Sequence, residues 1–258
     1  FASIVSAEEK AAAAVAAPAP KEESPNTGVT LAATLDLYSA YVWRGCVIND
    51  RPVWQPGATV SYATGDYGTL SAGAWSNFDA TDRRGHTKFG GISELDYTAT
   101  YAIDVGPVSL SAGHTWYTFP SVTGNTYGES TREVFVTAQY NTDIVNPFVR
   151  AYYDYVWIEG AYENIGFNKT IKVNDRVSVG SEVSVGIGSS NLMAGYYGSN
   201  GGPGLADFNA SLFASYALTD HISVGPRIAW MSLIDDDARK SVDDQEILWG
   251  GVNLAASF

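Results

Sequence analysis

The sequence predicts an all-β protein: a transmembrane antiparallel up-and-down β-barrel of about twelve strands, with a short Ala/Pro-rich N-terminal extension. Apolar side chains alternate with small or polar ones over successive segments of roughly ten residues, the length of a transmembrane strand. The composition agrees, because charged residues make up only 17% of the chain and aromatic residues reach 13%. Short turns alternate with longer polar loops between the segments, as in membrane barrels.

Residues 1–27 form the predicted extension, and residues 28–258 form the predicted barrel. The stretch from Ser6 to Ala17 is rich in alanine and favours a helix capped by Ser6, and a Pro-rich linker follows it. No basic region precedes the alanines, so we expect that a signal peptide has been removed and that Phe1 lies near the mature start. The extension is either a disordered leader or a periplasmic tether that contacts a partner protein.

The first six strands follow from a period of two in hydrophobicity. The alternation is clearest in Ile92–Ile103, where Leu95 and Tyr97 face away from Glu94 and Asp96. Glycine and aspartate in short connections, such as ATGDYG after the second strand, are typical of tight turns. The six segments are Val29–Trp43, Val53–Ala63, Thr69–Phe78, Ile92–Ile103, Val108–Phe119 and Thr131–Tyr140.

The last six strands alternate in the same way, with one weak segment. The pattern is blurred around Asn164, whereas Val183 and Val185 clearly face away from Glu182. The six segments are Phe148–Trp157, Tyr162–Ile171, Val177–Ile187, Asp207–Leu218, His221–Leu233 and Gln245–Phe258.

The final segment is predicted to close the barrel against the first. Leu254 and Phe258 lie on an apolar face, and Asn253 lies on the opposite, more polar face. An unpaired strand edge in lipid costs several kcal/mol for each unpaired backbone group, so we expect the first and last strands to pair. The alternative is an edge strand in a soluble protein of two packed sheets.

The area of the apolar face favours lipid as its environment. Twelve strands about 4.8 Å apart and tilted by about 40° have a girth of roughly 75 Å. An apolar band about 25 Å tall then presents roughly 1,900 Å². Soluble monomers rarely expose apolar patches larger than about 300–600 Å². The sequence offers no amphipathic helices to cover such a band, apart from the short extension.

Aromatic residues are predicted to form two girdles, one at each membrane interface. An even number of strands places both termini on the periplasmic side, together with the short turns. The girdle near the long loops comprises Tyr41, Trp43, Trp54, Tyr155, Trp157 and Trp230. The girdle near the short turns comprises Tyr62, Tyr101, Tyr140, Tyr216 and Phe258.

The net charge and the cysteine content exclude several classes of protein. A formal net charge of −13 argues against nucleic-acid binding, which requires a basic face. The single Cys46 excludes an internal disulfide framework and a Cys-rich metal site. We expect no cofactor and no metal. The acidic run from Asp235 to Asp244 lacks the spacing of an EF-hand, so we interpret it as a solvated loop.

A resemblance to a known family rests on short motifs in the first half of the chain. The segment YSAYVWRG at 38–45 resembles the first strand of the TorF-like porins, which turns into the first outer loop with a Tyr-Val-(Trp/Phe)-Arg-Gly motif. The likeness continues through QPG at 55–57, GAWSN at 73–77 and ELDY at 94–97, and spans roughly residues 35–120. It implies a barrel in the outer membrane of a Gram-negative bacterium and says little about a substrate.

The faces opposite the apolar ones carry charges that we expect to line the lumen. Buried charges need partners or water, so these residues predict either a hydrated, cation-favouring pore or a plug of paired charges. Arg44, at the start of the first long loop, is interpreted as an exposed loop residue, with a gating or lipopolysaccharide contact as the alternative. The predicted lumen residues are Asp36, Glu94, Asp96, Glu133, Arg150, Asp154, Glu163, Glu182 and Arg227.

Three classes of function remain open. The favoured one is a porin-like narrow channel for passive diffusion of small solutes or ions, with a preference for cations. The second is a closed structural barrel that binds a periplasmic or membrane partner through residues 1–27. The third, a hydrolase, is disfavoured because His114 has Ser111 nearby but no evident orienting partner, and His221 lies by a short turn on the wrong side of the membrane. The remaining histidine, His86, lies in a loop. The expected contacts are outer-membrane lipid, lipopolysaccharide and the barrel-assembly machinery, which would recognise Phe258.

Overall fold

A closed antiparallel barrel dominates the computed structural model, which describes residues 27–81, 89–120, 130–200 and 202–258. Within these ranges the barrel has twelve strands, each paired with its neighbours in sequence. A two-stranded hairpin, β2 (Tyr41–Trp43) and β3 (Cys46–Asn49), lies between the first two barrel strands. The barrel strands are β1 (Thr27–Tyr38), β4 (Val53–Thr64), β5 (Thr69–Asp79), β6 (Ile92–Val105), β7 (Val108–Thr118), β8 (Ser130–Tyr140), β9 (Asn146–Asp154), β10 (Gly160–Lys172), β11 (Val177–Gly188), β12 (Gly204–Ala217), β13 (Ile222–Leu233) and β14 (Glu246–Ser257).

The seam between β1 and β14 confirms the predicted closure. These strands pair from Ala32 opposite Ser257 to Tyr38 opposite Gly251. The amide of Phe258 donates to the carbonyl of Leu31 at 2.9 Å, so pairing continues to the last residue. The strands of the described residues therefore form a closed barrel, and the alternative of two packed soluble sheets is wrong.

The two faces of the barrel differ in the way that the alternation predicts. Large apolar side chains point outward and are exposed, including Val29, Leu31 and Leu248. Inward-facing positions are mostly polar, small or aromatic, and many are buried. The outward band belongs in lipid, since soluble monomers do not expose apolar surface on this scale.

In the described part of the chain, two short α-helices lie in long loops. Helix α1 (Ser190–Tyr197) follows β11, and helix α2 (Asp236–Ser241) follows β13. The acidic run predicted to be a loop therefore contains α2, which Asp235 caps by accepting a hydrogen bond from the amide of Ala238 at 2.7 Å. Among the described residues, no helix has the length and hydrophobicity needed to cross a membrane.

The main difference from the predicted strands lies at the end of β1. Val29–Trp43 was predicted as one strand, but β1 ends at Tyr38 and the chain turns into the barrel. Tyr41 and Trp43 were therefore assigned wrongly to an interfacial girdle, and both are buried in the lumen. The alternation continues through the hairpin, so periodicity alone does not mark where the barrel strand ends.

Most other girdle residues lie where they were expected. Near the long loops, Trp54, Tyr155 and Trp230 are exposed, whereas Trp157 is half-buried against Phe119, with ring centroids 5.8 Å apart. The residues at the opposite end are all exposed, namely Tyr62, Tyr101, Tyr140, Tyr216 and Phe258.

The close approach of strands at Gly251 makes the seam sensitive to a single methyl group. A Cβ atom there would lie 1.9 Å from the carbonyl oxygen of Leu37, whereas a Cβ atom at Gly28 would meet nothing within 4 Å. We expect Gly251→Ala to destabilise the barrel by roughly 1–3 kcal/mol. Urea unfolding in detergent measures this loss, with Gly28→Ala as the matched control. Equal stability of the two variants would contradict this account of the seam.

Candidate functional site in the barrel lumen

The hairpin β2–β3 folds into the lumen at the end of the barrel that carries the long loops, here called the loop end. Its two-residue turn consists of Arg44 and Gly45, which have positive φ angles of 40° and 78°. Two consecutive positive φ angles match the type I′ turn that suits the twist of a hairpin. Glycine adopts this conformation freely, but arginine does so at a cost of about 1–3 kcal/mol, so its surroundings must hold it there.

Arg44 is held by a buried ion pair across the lumen. Its Nη1 and Nη2 atoms lie 2.7 and 3.0 Å from the two carboxylate oxygens of Glu133 in β8. The guanidinium carbon lies 4.1, 4.3 and 4.6 Å from the ring centroids of Trp43, Tyr152 and Tyr162. A bidentate ion pair within an aromatic cage is among the strongest side-chain arrangements for fixing an arginine.

The charge on Arg44 survives its burial. Burial by itself lowers the pKa of the guanidinium, but the facing carboxylate of Glu133 and the nearby hydroxyl groups of Tyr196 and Tyr117 together raise the pKa well above its ordinary value. Both side chains are 1% exposed. Removing one partner would leave a buried, uncompensated charge, which is strongly destabilising. We call this pair the latch.

Helix α1 packs against the hairpin and completes the obstruction. Its Leu192, Met193 and Tyr197 side chains are almost fully buried, and the hydroxyl of Tyr197 donates to the carbonyl of Arg44. The Sγ atom of Cys46 lies 3.8 Å from the carbonyl oxygen of Tyr196. We call the hairpin 41–49 together with α1 the plug, because these elements fill the loop end of the lumen.

Small hydroxyl side chains also line the lumen. Three cross-strand pairs lie at 2.9, 3.1 and 2.7 Å between their oxygens. Thr115 is buried and pairs with Glu133 across β7 and β8, whereas the other five side chains are partly buried. Burial is not confined to the loop end, because Phe148 and Ser223, at the end with the short turns, here called the turn end, are also buried. The pairs are Ser61 with Ser71, Thr98 with Thr115, and Ser111 with Thr137.

Eight of the nine predicted lumen residues face inward, and several of their carboxylates attach the plug or a loop to the wall. Glu94 accepts a hydrogen bond from the hydroxyl of Tyr41 at 2.7 Å. Asp154 accepts from the side chain of Thr131 and from the backbone amides of residues 156–158. The inward-facing residues are Asp36, Glu94, Asp96, Glu133, Arg150, Asp154, Glu182 and Arg227.

Side-chain contacts to other strands also hold Arg150, Asp36 and Arg227. Arg150 and Glu182 form a bidentate pair with both contacts at 3.0 Å, which spans β10. The Asp36 carboxylate accepts from the amide of Asn253 at 2.7 Å, which crosses the seam between β1 and β14. Arg227 donates to the hydroxyl of Ser211 at 3.0 Å.

Two predicted positions need correction. Glu163 does not line the lumen, because its neighbours Tyr162 and Asn164 are the buried residues of β10 and Glu163 therefore faces outward. Because hydrophobicity alternates poorly in this segment, the sequence did not indicate which of its faces points into the lumen. Arg44 is not an exposed loop residue, because the first loop turns inward and buries it.

Two buried carboxylates escaped the sequence analysis. Asp79 accepts hydrogen bonds from the amides of Asn49 and Asn77 at 2.7 and 3.1 Å, which attaches the end of β3 to β5. Asp207 accepts from the hydroxyl of Tyr162 at 3.1 Å. Asp79 continues the inward alternation of Trp75 and Asn77, so extending that strand by one residue would have identified it.

The histidines do not assemble a hydrolytic site in the described part of the chain. The Nε2 atom of His114 lies 2.8 Å from the hydroxyl of Tyr155 on the outward face, whereas Ser111 faces the lumen. His221 contacts the carbonyl of Ser257 and stacks on Phe258 at the turn end, with ring centroids 5.4 Å apart. His86 lies outside the described residues.

The half-buried Cys46 can report on the plug, because its sulfur lies against α1. Burial raises the pKa of Cys46 to about 12, so the thiol stays protonated at neutral pH. Because only the thiolate reacts rapidly, we expect the native protein to resist a maleimide at about pH 8. Mass spectrometry measures the labelling, and the same protein unfolded in guanidinium chloride should label fully. Rapid labelling of the folded protein would show that the plug does not cover Cys46.

Many solved structures align with this chain, and two with TM-scores above 0.5 illustrate the shared fold. The COG4313 outer membrane channel from Pseudomonas putida F1 aligns with a TM-score of 0.56 at 13% identity, covering 93% of this chain and 99% of that one. The NanC porin aligns with a TM-score of 0.51 at 11% identity, covering 88% of this chain and 98% of that one. At such low identity the likeness establishes the fold alone.

Sequence comparison identifies the family. A search of curated proteins finds no match. The family described as "Bacterial protein of unknown function (Gcw_chp)" matches residues 22–219, which is most of the chain. Together with the closed barrel and its apolar outer band, this match identifies the chain as a member of the Gcw_chp family with the fold of a bacterial outer-membrane β-barrel.

Proposed function

We propose that this barrel is an outer-membrane channel for small solutes and ions whose resting state is closed by the plug. The observation that carries this proposal is that a loop hairpin fills the loop end of the lumen and is held there by side-chain contacts, and not by pairing with the barrel strands. A hairpin held in this way can leave the lumen without breaking the barrel. The short turns and both termini face the periplasm in this proposal, so the plug lies toward the cell exterior.

A preference for cations follows from the fixed charges of the lumen. Among the described residues, seven carboxylates and two guanidinium groups are buried. Rings of acidic side chains favour cations in channels. When the plug moves, carboxylates that now accept hydrogen bonds from it, such as Glu94, would face the passage.

Planar-bilayer recordings on the purified protein test both parts of the proposal. We expect small, infrequent conductance steps, and a reversal potential under a potassium chloride gradient that indicates cation selectivity. Anion selectivity would refute the cation preference. If the protein and its latch variants all failed to conduct, the channel function itself would be refuted.

The second candidate is a closed barrel that anchors a partner protein, which the filled loop end of the lumen favours. Its distinguishing element is the extension, residues 1–27, almost all of which lies outside the described residues. Cross-linking of the full-length protein in cells, compared with a variant lacking residues 1–26, would test it. A partner lost on deletion would support the anchor, provided that the barrel still folds.

Assembly into the membrane is proposed to depend on Phe258. Its side chain is 65% exposed at the turn end, although its backbone pairs with Leu31. An exposed aromatic side chain at the end of the closing strand is available to the barrel-assembly machinery. We expect Phe258→Ala to lower the amount of folded barrel in the outer membrane, with Phe258→Tyr as the conservative control. Equal amounts of all three proteins would contradict this role.

A further inference from the structure

A cavity of about 140 Å³ lies between the plug and one side of the barrel wall. Since a water molecule needs roughly 10–15 Å³ of such volume, the cavity has room for about ten water molecules, or for a molecule the size of a monosaccharide. Its walls include the hairpin residues Tyr41 and Trp43 and the inward faces of the strands flanking the seam. A molecule in this cavity would therefore contact the plug and the fixed wall at the same time.

The walls combine aromatic rings with planar polar groups. Tyr38 and Trp249 form an edge-to-face pair with ring centroids 5.0 Å apart, and Trp43 lies in the same lining. Gln55 and Asn209 add side-chain amides to this lining. Aromatic faces pack against C–H groups, whereas amides hydrogen-bond to hydroxyl groups as both donors and acceptors.

The charges in the lining balance. Asp36 and Glu182 are acidic, whereas Arg44 and Arg227 are basic. Arg44 is engaged with Glu133, and Glu182 is engaged with Arg150. A wall whose charges compensate one another gives no net attraction for an anion or a cation. It therefore favours an uncharged ligand that is rich in hydrogen-bonding groups.

The cavity lining contains one buried hydrogen-bond donor, which a ligand with an acceptor group could satisfy. Trp43 is 4% exposed, and its indole Nε1 has no hydrogen-bond partner among the described residues. An unsatisfied buried donor costs about 1–3 kcal/mol. A ligand hydroxyl group or a water molecule in the adjacent cavity would satisfy it.

We propose that this cavity is a binding site for a small uncharged saccharide. A sugar ring offers C–H faces to the aromatic side chains and hydroxyl edges to the amides and to Trp43. The proposal deepens the proposed function, because a ligand seated against the hairpin occupies the route through the barrel. Binding itself does not depend on conduction.

Equilibrium binding to the detergent-solubilised full chain tests the site separately from the channel. Calorimetric titrations with glucose and maltose are compared with titrations of arginine and glutamate, which carry charged groups. We expect saturable binding of at least one sugar and much weaker binding of both amino acids. Binding of a charged amino acid without binding of either sugar would overturn the proposal, as would no binding of any probe.

Leucine substitutions at two alanines, one inside the cavity and one away from it, test where the sugar binds. Ala229 lines the cavity, whereas Ala102 lies on the lumen face of β6 away from it. We expect Ala229→Leu to weaken sugar binding by about tenfold or more by overfilling the cavity, and Ala102→Leu to leave it unchanged. Circular dichroism and heat modifiability on gels confirm that each variant folds. Equal affinities in two folded variants would place any sugar binding elsewhere.

Trp43→Phe provides a second measurement, because it keeps an aromatic ring and removes the indole N–H. We expect it to weaken sugar binding several-fold without a change in barrel stability. Unchanged affinity in Trp43→Phe would contradict the role assigned to the indole. If sugar bound as expected but no variant conducted ions, the site would stand and the channel function would fail.

Discussion

Replacing Arg44 by alanine should open the channel. The substitution removes one partner of the buried latch and leaves the Glu133 carboxylate without its counter-charge in the closed state. Such a change costs about 3–5 kcal/mol when the pair is fully buried. If the open state hydrates Glu133, the equilibrium between closed and open plugs shifts by roughly a hundredfold or more. We expect frequent conductance in planar bilayers and rapid maleimide labelling of Cys46.

The same loop offers a control for Arg44→Ala. The side chain of Arg51 is 64% exposed, and its contact with Asp50 is 3.7 Å long. An exposed pair of this kind contributes little, so Arg51→Ala should conduct and label as the wild type does. Glu133→Gln should open the channel as well, and combining it with Arg44→Ala should add little, because both changes break one interaction. A closed channel and an unreactive Cys46 in Arg44→Ala would refute the latch.

Replacing Gly45 by valine should displace the plug without changing any charge. Gly45 has a φ angle of 78°, and a Cβ atom there would lie 2.6 Å from the Leu233 side chain and 3.0 Å from Cβ of Asp207. A β-branched residue is strained at positive φ, and the clash adds to that strain. We expect Gly45→Val to raise both conductance and Cys46 labelling, while the barrel keeps its strand content by circular dichroism.

A substitution at a second glycine separates the effect of backbone strain at Gly45 from the effect of the steric clash. Gly90 also has a positive φ angle, of 72°, but a Cβ atom there would meet nothing within 4 Å. Gly90→Val should therefore leave the plug closed, even though it imposes similar backbone strain in another long loop. Equal effects of the two substitutions would show that general destabilisation, and not contact between the plug and the wall, controls opening.

The two predictions test the latch and the fit of the hairpin independently. Arg44→Ala removes an attraction, whereas Gly45→Val keeps both charges of the latch and introduces a collision. Both use Cys46, which follows Gly45 in the hairpin, as a reporter of the plug. Loss of the Arg44 charge alone would raise the pKa of Cys46 and slow its labelling, so faster labelling in Arg44→Ala reports exposure of the thiol. Agreement between labelling and conductance would identify the hairpin as the moving part.

The sequence alone determined the barrel. Alternation such as that of Glu94 and Leu95 is a local property, since successive side chains of a strand point to opposite faces. Closure by Phe258 and its strand followed from the cost of an open edge in lipid. For this reason the order of the strands, the apolar outer face and eight of the nine proposed lumen residues could be predicted.

Only the tertiary structure decided what fills the barrel. Tyr41 and Trp43 continue the alternation of β1, so the pattern is the same whether they face lipid or enter the lumen. Their position depends on Arg44 meeting Glu133, which lies 89 residues further along the chain. Glu163 was assigned to the wrong face because its segment lacks clear alternation, and its orientation is set by the pairing of β10 with β9. Contacts between residues so far apart in the chain cannot be predicted from hydrophobic periodicity, because they depend on where the closed barrel places distant side chains.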